Sequence, residues 1–363
     1  MSKITLISNR NYSVKKFRMS LIKALLKEGY DVSLIIIEDS DERLNIDNVD
    51  IYYINENNRS INPFNKLRLQ KQIEEILKNI KPDKVFTFQL SPNIFGAIAA
   101  HDCGINNIFS MVEGAGDVFT YNTFKWKMIR FFTCVLLKES FKNCKQVFFL
   151  NNDDKNEFID RKLVKQEQCI VIPGIGVDTD YFAYKPITNT NTFLMVARMM
   201  PAKGVLEYCE IARTVKKVCP KAVFNYIGEE FTLKKNDIQE YIDDRSINYF
   251  GWTEDIRPYY ESCCCYISTS YYREGMPMTL MEAASTGRAI IALDNIGTRE
   301  IVKNEHNGFL IERGSLKKIE QKIIYLITDE EKMKKMGKNS RELAETRYNS
   351  KTINKRIISE IKC

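Results

Sequence analysis

The sequence predicts an α/β protein of two tandem domains, each a doubly wound parallel sheet. Short apolar runs rich in β-branched residues alternate with amphipathic helical stretches along the whole chain, a pattern typical of βαβ units and parallel sheets. The length of 363 residues favours two domains. A polar stretch containing proline, residues 183–191, interrupts the alternation near the middle of the chain, as a linker does.

The first half of the chain contains six predicted strands and five predicted helices. The run 32–37 is apolar throughout, which is typical of a strand buried on both faces. Helix 14–27 ends before Gly29, and helix 66–80 ends before Pro82, as stop signals of these residue types predict. The strands are predicted at 4–8, 32–37, 84–88, 107–112, 146–150 and 169–172, and the helices at 14–27, 66–80, 93–103, 124–143 and 153–162.

The second half repeats the alternation and ends in a helical tail. Its strands are predicted at 192–196, 222–227, 247–250, 264–268, 289–292 and 308–311, and its helices at 204–217, 237–243 and 278–285, with two or three more over 316–362. The predicted domains are an N-terminal domain over 1–182 and a C-terminal domain over 183–347. A C-terminal helix over 348–363 is predicted to pack back on the N-terminal domain.

Composition excludes several functional classes. The net charge of +7 is a mild excess over a long chain and gives no indication of a nucleic-acid partner. The two histidines, His101 and His306, exclude a histidine-rich metal site and disfavour a Ser-His-Asp hydrolase. The ten cysteines contain no Cys-x-x-Cys pair and mostly lie in apolar runs, which predicts buried, reduced thiols. With no signal peptide and no apolar segment of about 18 residues, we expect a cytoplasmic protein.

Polar and charged residues follow the strands of the second half, and ligands of doubly wound sheets bind beyond the carboxyl ends of the strands. Arg198 and Lys203 lie between a predicted strand and a predicted helix, where cations suit phosphate oxygens; a solvated helix start is the alternative. Gly228 and Trp252 follow the next two strands. We interpret both as ligand-binding residues, with a turn and side-chain packing as the respective alternatives.

The most specific motif joins the strand 264–268 to the helix 278–285. Glu274 and Glu282 are eight positions apart, and proline between them favours the first turn of a helix. Two carboxylates so placed can accept hydrogen bonds from separate hydroxyl groups of one long ligand, while the amides between them face a phosphate. A capped surface helix with incidental acids is the alternative. The predicted ligand-binding residues of this motif are Glu274, Gly275, Met276, Pro277, Met278, Thr279 and Glu282.

This pair of glutamates, with Arg198 and Lys203 upstream, resembles the motif of glycosyltransferase family 4. Its members are retaining enzymes of the GT-B fold, which has two tandem Rossmann-like domains and an interdomain cleft. The segments 172–182, 287–291 and 297–302 are also similar to the family. The resemblance implies that Arg198 and Lys203 neutralise the diphosphate of a UDP-sugar donor. It further implies that Glu274 faces the donor sugar and that Glu282 binds the nucleotide ribose.

Three motifs of the N-terminal half resemble bacterial family members that extend polyprenyl-diphosphate-linked sugars, in particular N-acetylgalactosaminyltransferases. The implied reaction moves N-acetylgalactosamine from UDP-GalNAc to an undecaprenyl-diphosphate-linked saccharide in N-glycan, O-glycan, capsule or O-antigen assembly. Arg18 then belongs to the acceptor side. Glu113 stands where many relatives carry histidine. We predict that it acts in catalysis by positioning the acceptor hydroxyl or the donor sugar, with a capping or turn role as the alternative. The motifs are Phe17-Arg18-Met19, Ile61-Asn62-Pro63-Phe64 and Met111-Val112-Glu113-Gly114-Ala115-Gly116.

The implied chemistry requires stabilisation of the departing diphosphate, and preorganised cations supply it. Because Arg198 and Lys203 fit that role, we expect no metal and no other cofactor. The pair Asp153-Asp154 opens a predicted helix, where acids favour the helix dipole; metal binding is the alternative. Two other functions remain open, a nucleotide-sugar epimerase on the same fold and a non-enzymatic sugar-nucleotide-binding partner in an assembly complex.

The segment 122–147 predicts a contact with the inner face of the plasma membrane. It holds six basic residues against one acid, Glu139, and its aromatic residues include Trp126, Phe131 and Phe132. Basic helices with aromatic residues bind anionic membrane surfaces. The alternative is an ordinary helix that packs on the sheet and whose lysines are solvated. The residues predicted to contact the membrane or the acceptor are Arg18, Lys125, Trp126, Lys127 and Arg130.

Overall fold

The computed structural model describes residues 1–37, 43–55, 63–114 and 116–362. Residues 61 and 62 of the motif 61–64, and residue 115 of the motif 111–116, lie outside the described residues. The chain divides into two compact units, one of Met1–Ile175 with Lys351–Cys363 and one of Gly176–Ser350. The sequence placed the corresponding boundaries at 182/183 and 347/348.

The first unit is built on a parallel sheet of seven strands, in the order β3-β2-β1-β4-β5-β6-β7. The strands are β1 (Lys3–Ser8), β2 (Asp31–Ile37), β3 (Val49–Ile54), β4 (Lys84–Phe88), β5 (Asn107–Val112), β6 (Gln146–Phe149) and β7 (Cys169–Val171). The central strands are buried along nearly their whole length, as their continuous apolar runs predict. The edge strand β3 is only half-buried and was not predicted from the sequence.

The helices of the first unit connect these strands. They are α1 (Asn11–Phe17), α2 (Met19–Lys27), α3 (Pro63–Ile80), α4 (Ala97–Asp102), α5 (Gly116–Thr120), α6 (Phe124–Lys142) and α7 (Asn152–Asp160). The single helix predicted over 14–27 is two helices that meet at Arg18, whose φ of −115° departs from the usual helical value and whose side chain is buried.

The second unit has a parallel sheet of six strands, in the order β10-β9-β8-β11-β12-β13. Its strands are β8 (Thr192–Val196), β9 (Val223–Ile227), β10 (Asn248–Tyr249), β11 (Cys265–Ser268), β12 (Ala289–Leu293) and β13 (Gly308–Ile311). Its helices are α8 (Val205–Val218), α9 (Gln239–Asp243), α10 (Arg257–Ser262), α11 (Met278–Thr286), α12 (Thr298–Ile301), α13 (Leu316–Thr328) and α14 (Glu330–Thr346).

A last helix, α15 (Ser350–Lys362), lies against the first unit. Asn354 donates a hydrogen bond of 2.8 Å to the Ser20 hydroxyl of α2. Near its end, Lys362 pairs with Glu28 at 2.6 Å. The chain therefore returns to its N-terminal unit after completing the second sheet.

The strand order of each sheet reverses once, between β1 and β4 in the first unit and between β8 and β11 in the second. At such a reversal the connections leave towards opposite faces of the sheet, and the crevice beyond the strand ends binds ligands in doubly wound folds. In the second unit, the two loops that flank this crevice follow β8 and β11. The first loop carries Arg198 and Lys203, and the second carries Glu274.

Candidate functional site

The loops after β8 and β11 are joined by backbone contacts. The Thr269 hydroxyl donates a hydrogen bond of 2.7 Å to the carbonyl oxygen of Gly204, and the Tyr271 amide donates one of 3.0 Å to that of Ala202. Gly204 has a φ of +73°, and a Cβ atom there would lie 2.2 Å from the Thr269 carbonyl oxygen. Only glycine allows this approach, which brings the two loops together.

Lys203 and Glu274 meet across this junction as an ion pair. The Lys203 side chain is largely buried and its ammonium lies 5.3 Å from the centre of the Tyr272 ring, whereas Glu274 is about one-third exposed. Sequence positions 71 residues apart thus form one charged pair at the crevice. A cation held in this way is preorganised for an anionic ligand.

Arg198 lies at the start of the same loop and is exposed. Its guanidinium group stacks 5.2 Å from the centre of the Phe231 ring. Such stacking holds the planar group while its edge remains available for hydrogen bonds. The structure therefore places Arg198 at the same strand end as Lys203 without burying it.

Glu282 lies inside α11 and is 2% exposed. The Tyr260 hydroxyl of α10 lies 2.9 Å from Oε2 of Glu282. Burial, and secondarily the carboxylate of Glu282, raise the pKa of Tyr260 well above its usual value, so the phenol stays protonated and donates this hydrogen bond. Tyr260 orients the carboxylate and is a site residue that the sequence analysis missed.

The residues between the two glutamates shape the start of α11. Pro277 is the residue before the helix, and α11 begins at Met278. Gly275 and Met276 are buried, whereas Met278 and Thr279 are half-buried. Gly297, with a φ of +87°, packs so close that a Cβ atom there would lie 2.8 Å from the carbonyl oxygens of residues 274 and 275. This contact explains the glycine at the start of the motif 297–302.

Gly228 and Trp252 stand at the ends of the neighbouring strands. A Cβ atom at Gly228 would lie 1.7 Å from the carbonyl oxygen of Ala197, so a close strand contact already requires glycine there. Trp252 is 66% exposed. Trp252 is therefore not a core residue, and glycine is required at position 228 whether or not a ligand binds there; donor binding by both residues stays a prediction.

In the first unit, Arg18 and Glu113 form an ion pair at the carboxyl edge of the sheet. Arg18 is 2% exposed, and its guanidinium group stacks 4.1 Å from the centre of the Phe88 ring. Burial lowers the pKa of Arg18 to about 9, while contact with the Glu113 carboxylate favours its charged form. Glu113 remains partly exposed. Its carboxylate is therefore held by the buried Arg18 and is still accessible to solvent.

The residues of α6 that were predicted to contact the membrane differ in their exposure. Lys125 and Lys127 are exposed. Trp126 is half-buried, packs against the core of the first unit and lies 5.5 Å from the Tyr121 ring. Trp126 therefore lies on the inner side of the helix and is only partly accessible, and its contact with the membrane or the acceptor stays a prediction.

Arg130 also has a structural role. Its guanidinium group donates hydrogen bonds of 2.7 and 2.6 Å to the carbonyl oxygens of Val118 and Tyr121, and it contacts the Asn122 side chain at 3.2 Å. These bonds hold the connection between α5 and α6. Arg130 thus has a structural role that needs no membrane, and its predicted contact with the membrane or the acceptor stays a prediction.

The acidic pair at the start of α7 also has a local explanation. The Asn151 side chain accepts a hydrogen bond of 2.7 Å from the amide of Asp154 and donates one of 2.9 Å to its carboxylate. Within the described parts of the chain, no three His, Cys, Asp or Glu side chains come together as a metal-binding group. Nor does any helix in those parts have the length and apolar character needed to cross a membrane.

Comparison with known families matches both units. Residues 177–343 match the family model of glycosyl transferases group 1, and residues 3–150 match that of the glycosyl transferase 4-like family. A Campylobacter jejuni protein, N,N'-diacetylbacillosaminyl-diphospho-undecaprenol alpha-1,3-N-acetylgalactosaminyltransferase, is 28% identical over 93% of this chain and 93% of its own length. An Escherichia coli UDP-Gal:alpha-D-GlcNAc-diphosphoundecaprenol alpha-1,3-galactosyltransferase is 27% identical over 90% of this chain and 88% of its own.

Solved structures share the fold. Sucrose-phosphate synthase from Thermosynechococcus elongatus aligns with a TM-score of 0.83 at 15% identity, covering 100% of this chain and 98% of its own. Anabaena HepE in complex with UDP aligns with a TM-score of 0.77 at 16% identity, covering 99% of each chain. The two family models account for most of both units, and the strand orders and structural neighbours agree. The chain therefore belongs to glycosyltransferase family 4 and is a glycosyltransferase of the GT-B fold.

Proposed function

We propose that this enzyme transfers N-acetylgalactosamine from UDP-GalNAc to an undecaprenyl-diphosphate-linked saccharide in bacterial glycan assembly, with retention of the anomeric configuration. The observation that carries the proposal is the meeting of Lys203 and Glu274 at the switch point of the second sheet. The names of the Campylobacter and Escherichia coli relatives support the class of acceptor, since both act on undecaprenol-diphosphate-linked sugars.

Lys203 and Arg198 are the proposed ligands of the donor diphosphate. Lys203 is already fixed by Glu274 and Tyr272, so little rearrangement is needed when a phosphate replaces or joins the carboxylate as its anionic partner. The start of α11 adds the positive end of a helix dipole. Together these groups stabilise the negative charge that develops as the diphosphate leaves, and we propose that transfer requires no metal ion.

Glu274 and Glu282 are the proposed ligands of the donor's hydroxyl groups. Glu274 is partly exposed beside Lys203, which places a hydrogen-bond acceptor next to the diphosphate site, where the sugar is attached. Glu282 is held by Tyr260 and serves the ribose. The two carboxylates thus fix both ends of the donor around its diphosphate.

The transfer itself exchanges one bond at the anomeric carbon. The bond from that carbon to the diphosphate oxygen breaks, a bond to the acceptor oxygen forms, and the acceptor proton passes to the departing diphosphate. Retention is supported by the name of the Escherichia coli relative, which pairs a UDP-galactose donor with an α-1,3 product, because UDP-galactose is an α-anomer. Glu113, fixed by Arg18, is the proposed group that positions the acceptor hydroxyl or the donor sugar.

A lipid-linked acceptor requires the enzyme to work at a membrane surface. We propose peripheral association with the inner face of the plasma membrane, where nucleotide sugars are available. The first unit, which carries Arg18 and Glu113, is the proposed acceptor side. Membership of a transferase family disfavours the two alternatives, an epimerase and a non-enzymatic sugar-nucleotide-binding partner.

The experiment is a panel of UDP-sugars tested against undecaprenyl-diphosphate-linked mono- and disaccharides with the purified enzyme. We expect UDP-GalNAc to be the preferred donor, and the product to be α-linked by NMR. Activity should persist in a metal chelator. A β-linked product, or loss of activity in chelator that magnesium restores, would contradict the proposed mechanism; transfer of a different sugar would contradict the donor assignment.

A further inference from the structure

Helix α6 is apolar on two opposite faces. Its inner face packs on the first unit through residues such as Leu137 and Phe141, which are at most 1% exposed. Its outer face consists of six large apolar side chains that are between 38% and 80% exposed. The outer face is formed by Phe124, Met128, Phe131, Phe132, Val135 and Leu136.

The outer face is a continuous stripe. With 3.6 residues per turn, the six positions fall within an arc of about 140° and extend about 18 Å along the helix. A surface helix normally carries charged and polar residues on this side. Contiguous apolar surface of this kind marks an interaction site in soluble proteins.

Exposed lysines border the stripe. At 100° per residue, Lys127 and Lys138 lie on one flank of the stripe, and Lys125 lies just inside its opposite edge, between the directions of Phe132 and Leu136. Lys142 lies in line with the stripe at its C-terminal end. The exposed acid of this helix, Glu139, is 3.6 Å from Lys142. The border of the apolar stripe is therefore positively charged.

We propose that the outer face of α6 inserts into the interface of an anionic lipid bilayer, with the helix lying in the membrane plane. The apolar side chains reach the acyl boundary, and the flanking lysines extend their ammonium groups to the lipid headgroups. A second copy of this chain fits the surface less well. Two outer faces packed together would bring both sets of lysines around one interface, where like charges repel.

The use of this surface, to bring the enzyme to a lipid-linked acceptor, rests on the proposed function. The residues that form the surface differ from those predicted from the sequence. Trp126 and Arg130 face inward and hold the α5–α6 connection, whereas Phe131 and Phe132 are 63% and 59% exposed.

The test is co-sedimentation with vesicles of phosphatidylcholine, alone or mixed with phosphatidylglycerol. The wild type should pellet with the mixed vesicles. The double variant Phe131→Ser/Phe132→Ser should lose at least tenfold in vesicle partitioning, because two exposed rings no longer leave water. The triple variant Lys125→Gln/Lys127→Gln/Lys138→Gln should lose on the order of a hundredfold, at about fivefold per lysine.

Matched controls change the same residue types elsewhere. Leu206→Ser/Val218→Ser removes exposed apolar side chains of the second unit and should bind vesicles like the wild type. The substitutions Lys217→Gln/Lys221→Gln/Lys335→Gln remove three exposed lysines there and should also leave binding unchanged. Equal pelleting of the wild type and the α6 variants, or no pelleting of the wild type, would overturn the proposal. The proposal would also be overturned if the wild type self-associated without binding vesicles and Phe131→Ser/Phe132→Ser abolished that self-association.

A second readout separates this proposal from the proposed function. Transfer to a water-soluble, short-chain lipid-diphosphate acceptor should be unchanged in Phe131→Ser/Phe132→Ser, because these two side chains are proposed to act only in docking. Vesicle binding without transfer to any acceptor would support the docking surface and contradict the proposed function. Loss of transfer to the soluble acceptor in this double variant would contradict a role limited to docking.

Discussion

Replacement of Gly204 by alanine tests whether the contact between the loops after β8 and β11 sustains the site. Gly204 has a φ of +73°, and the new Cβ atom would lie 2.2 Å from the Thr269 carbonyl oxygen. The left-handed backbone costs about 1–2 kcal/mol for alanine, and the overlap with backbone adds about 1–3 kcal/mol. We therefore expect Gly204→Ala to destabilise the protein by about 2–5 kcal/mol.

Gly314→Ala is the matched control. Gly314 has a similar φ of +84°, but no atom lies within 4 Å of its added Cβ, so it should lose only the backbone part, about 1–2 kcal/mol. Urea unfolding midpoints and transfer rates would be compared for both variants. Because the overlap separates Lys203 from Glu274, Gly204→Ala should also lose about a hundredfold in rate, as displacements of about 1 Å can. Equal midpoints and equal rates for the two variants would show that the contact between Gly204 and Thr269 sustains neither the fold nor the site.

Three further outcomes follow from buried groups. Glu113→Gln leaves the buried Arg18 charge without its partner and should cost about 3–5 kcal/mol in urea unfolding; adding Arg18→Met should recover part of this loss. Tyr260→Phe removes the hydrogen bond to Glu282 and should cost about 1–3 kcal/mol while raising the KM for the UDP-sugar, whereas an unchanged KM would separate Glu282 from donor binding. Burial raises the pKa of Cys263 to about 12, so this thiol should resist alkylation in the native protein at pH 8 and react once urea unfolds it; rapid native labelling, located by mass spectrometry, would contradict the buried position.

The sequence predicted most of the two sheets because their strands carry strong signals. Buried parallel strands are continuous apolar runs, and β1, β2 and β12 show such runs. The strand β3 was missed because an edge strand is covered less, and its residues Val49–Ile54 are mostly half-buried. The break at Arg18 was missed because periodicity continues across it, and only the tertiary contact with Phe88 and Glu113 explains the inward turn.

The candidate site was predictable where one short motif holds it. Glu274, Glu282 and the glycine and proline between them lie within nine residues, and their spacing indicates a strand-to-helix junction. Tyr260 could not be found in the same way, because it lies 22 positions before Glu282 in a short helix without a local motif. Its contact with Glu282 depends on how α10 packs on α11.

The orientation of α6 was the weakest part of the sequence interpretation. A helix that is apolar on both sides has no single apolar face, so its composition did not reveal which residues pack inward. The structure resolves this through Trp126, which packs on the core, and Phe131 and Phe132, which remain exposed. A positive charge in the sequence also does not show that a side chain is available to lipid headgroups, because the Arg130 guanidinium group is held by backbone carbonyl oxygens.

The proposed role of Lys203, stabilisation of the leaving diphosphate, is tested by a transfer assay with Lys203→Ala. The matched control is Lys217→Ala, which removes an exposed lysine of α8. Both variants would first be checked for a native circular dichroism spectrum, and transfer from saturating UDP-GalNAc to the lipid-linked acceptor would then be measured. We expect a loss on the order of a hundredfold or more for Lys203→Ala and wild-type turnover for Lys217→Ala. Wild-type turnover in a folded Lys203→Ala variant would contradict the proposed role.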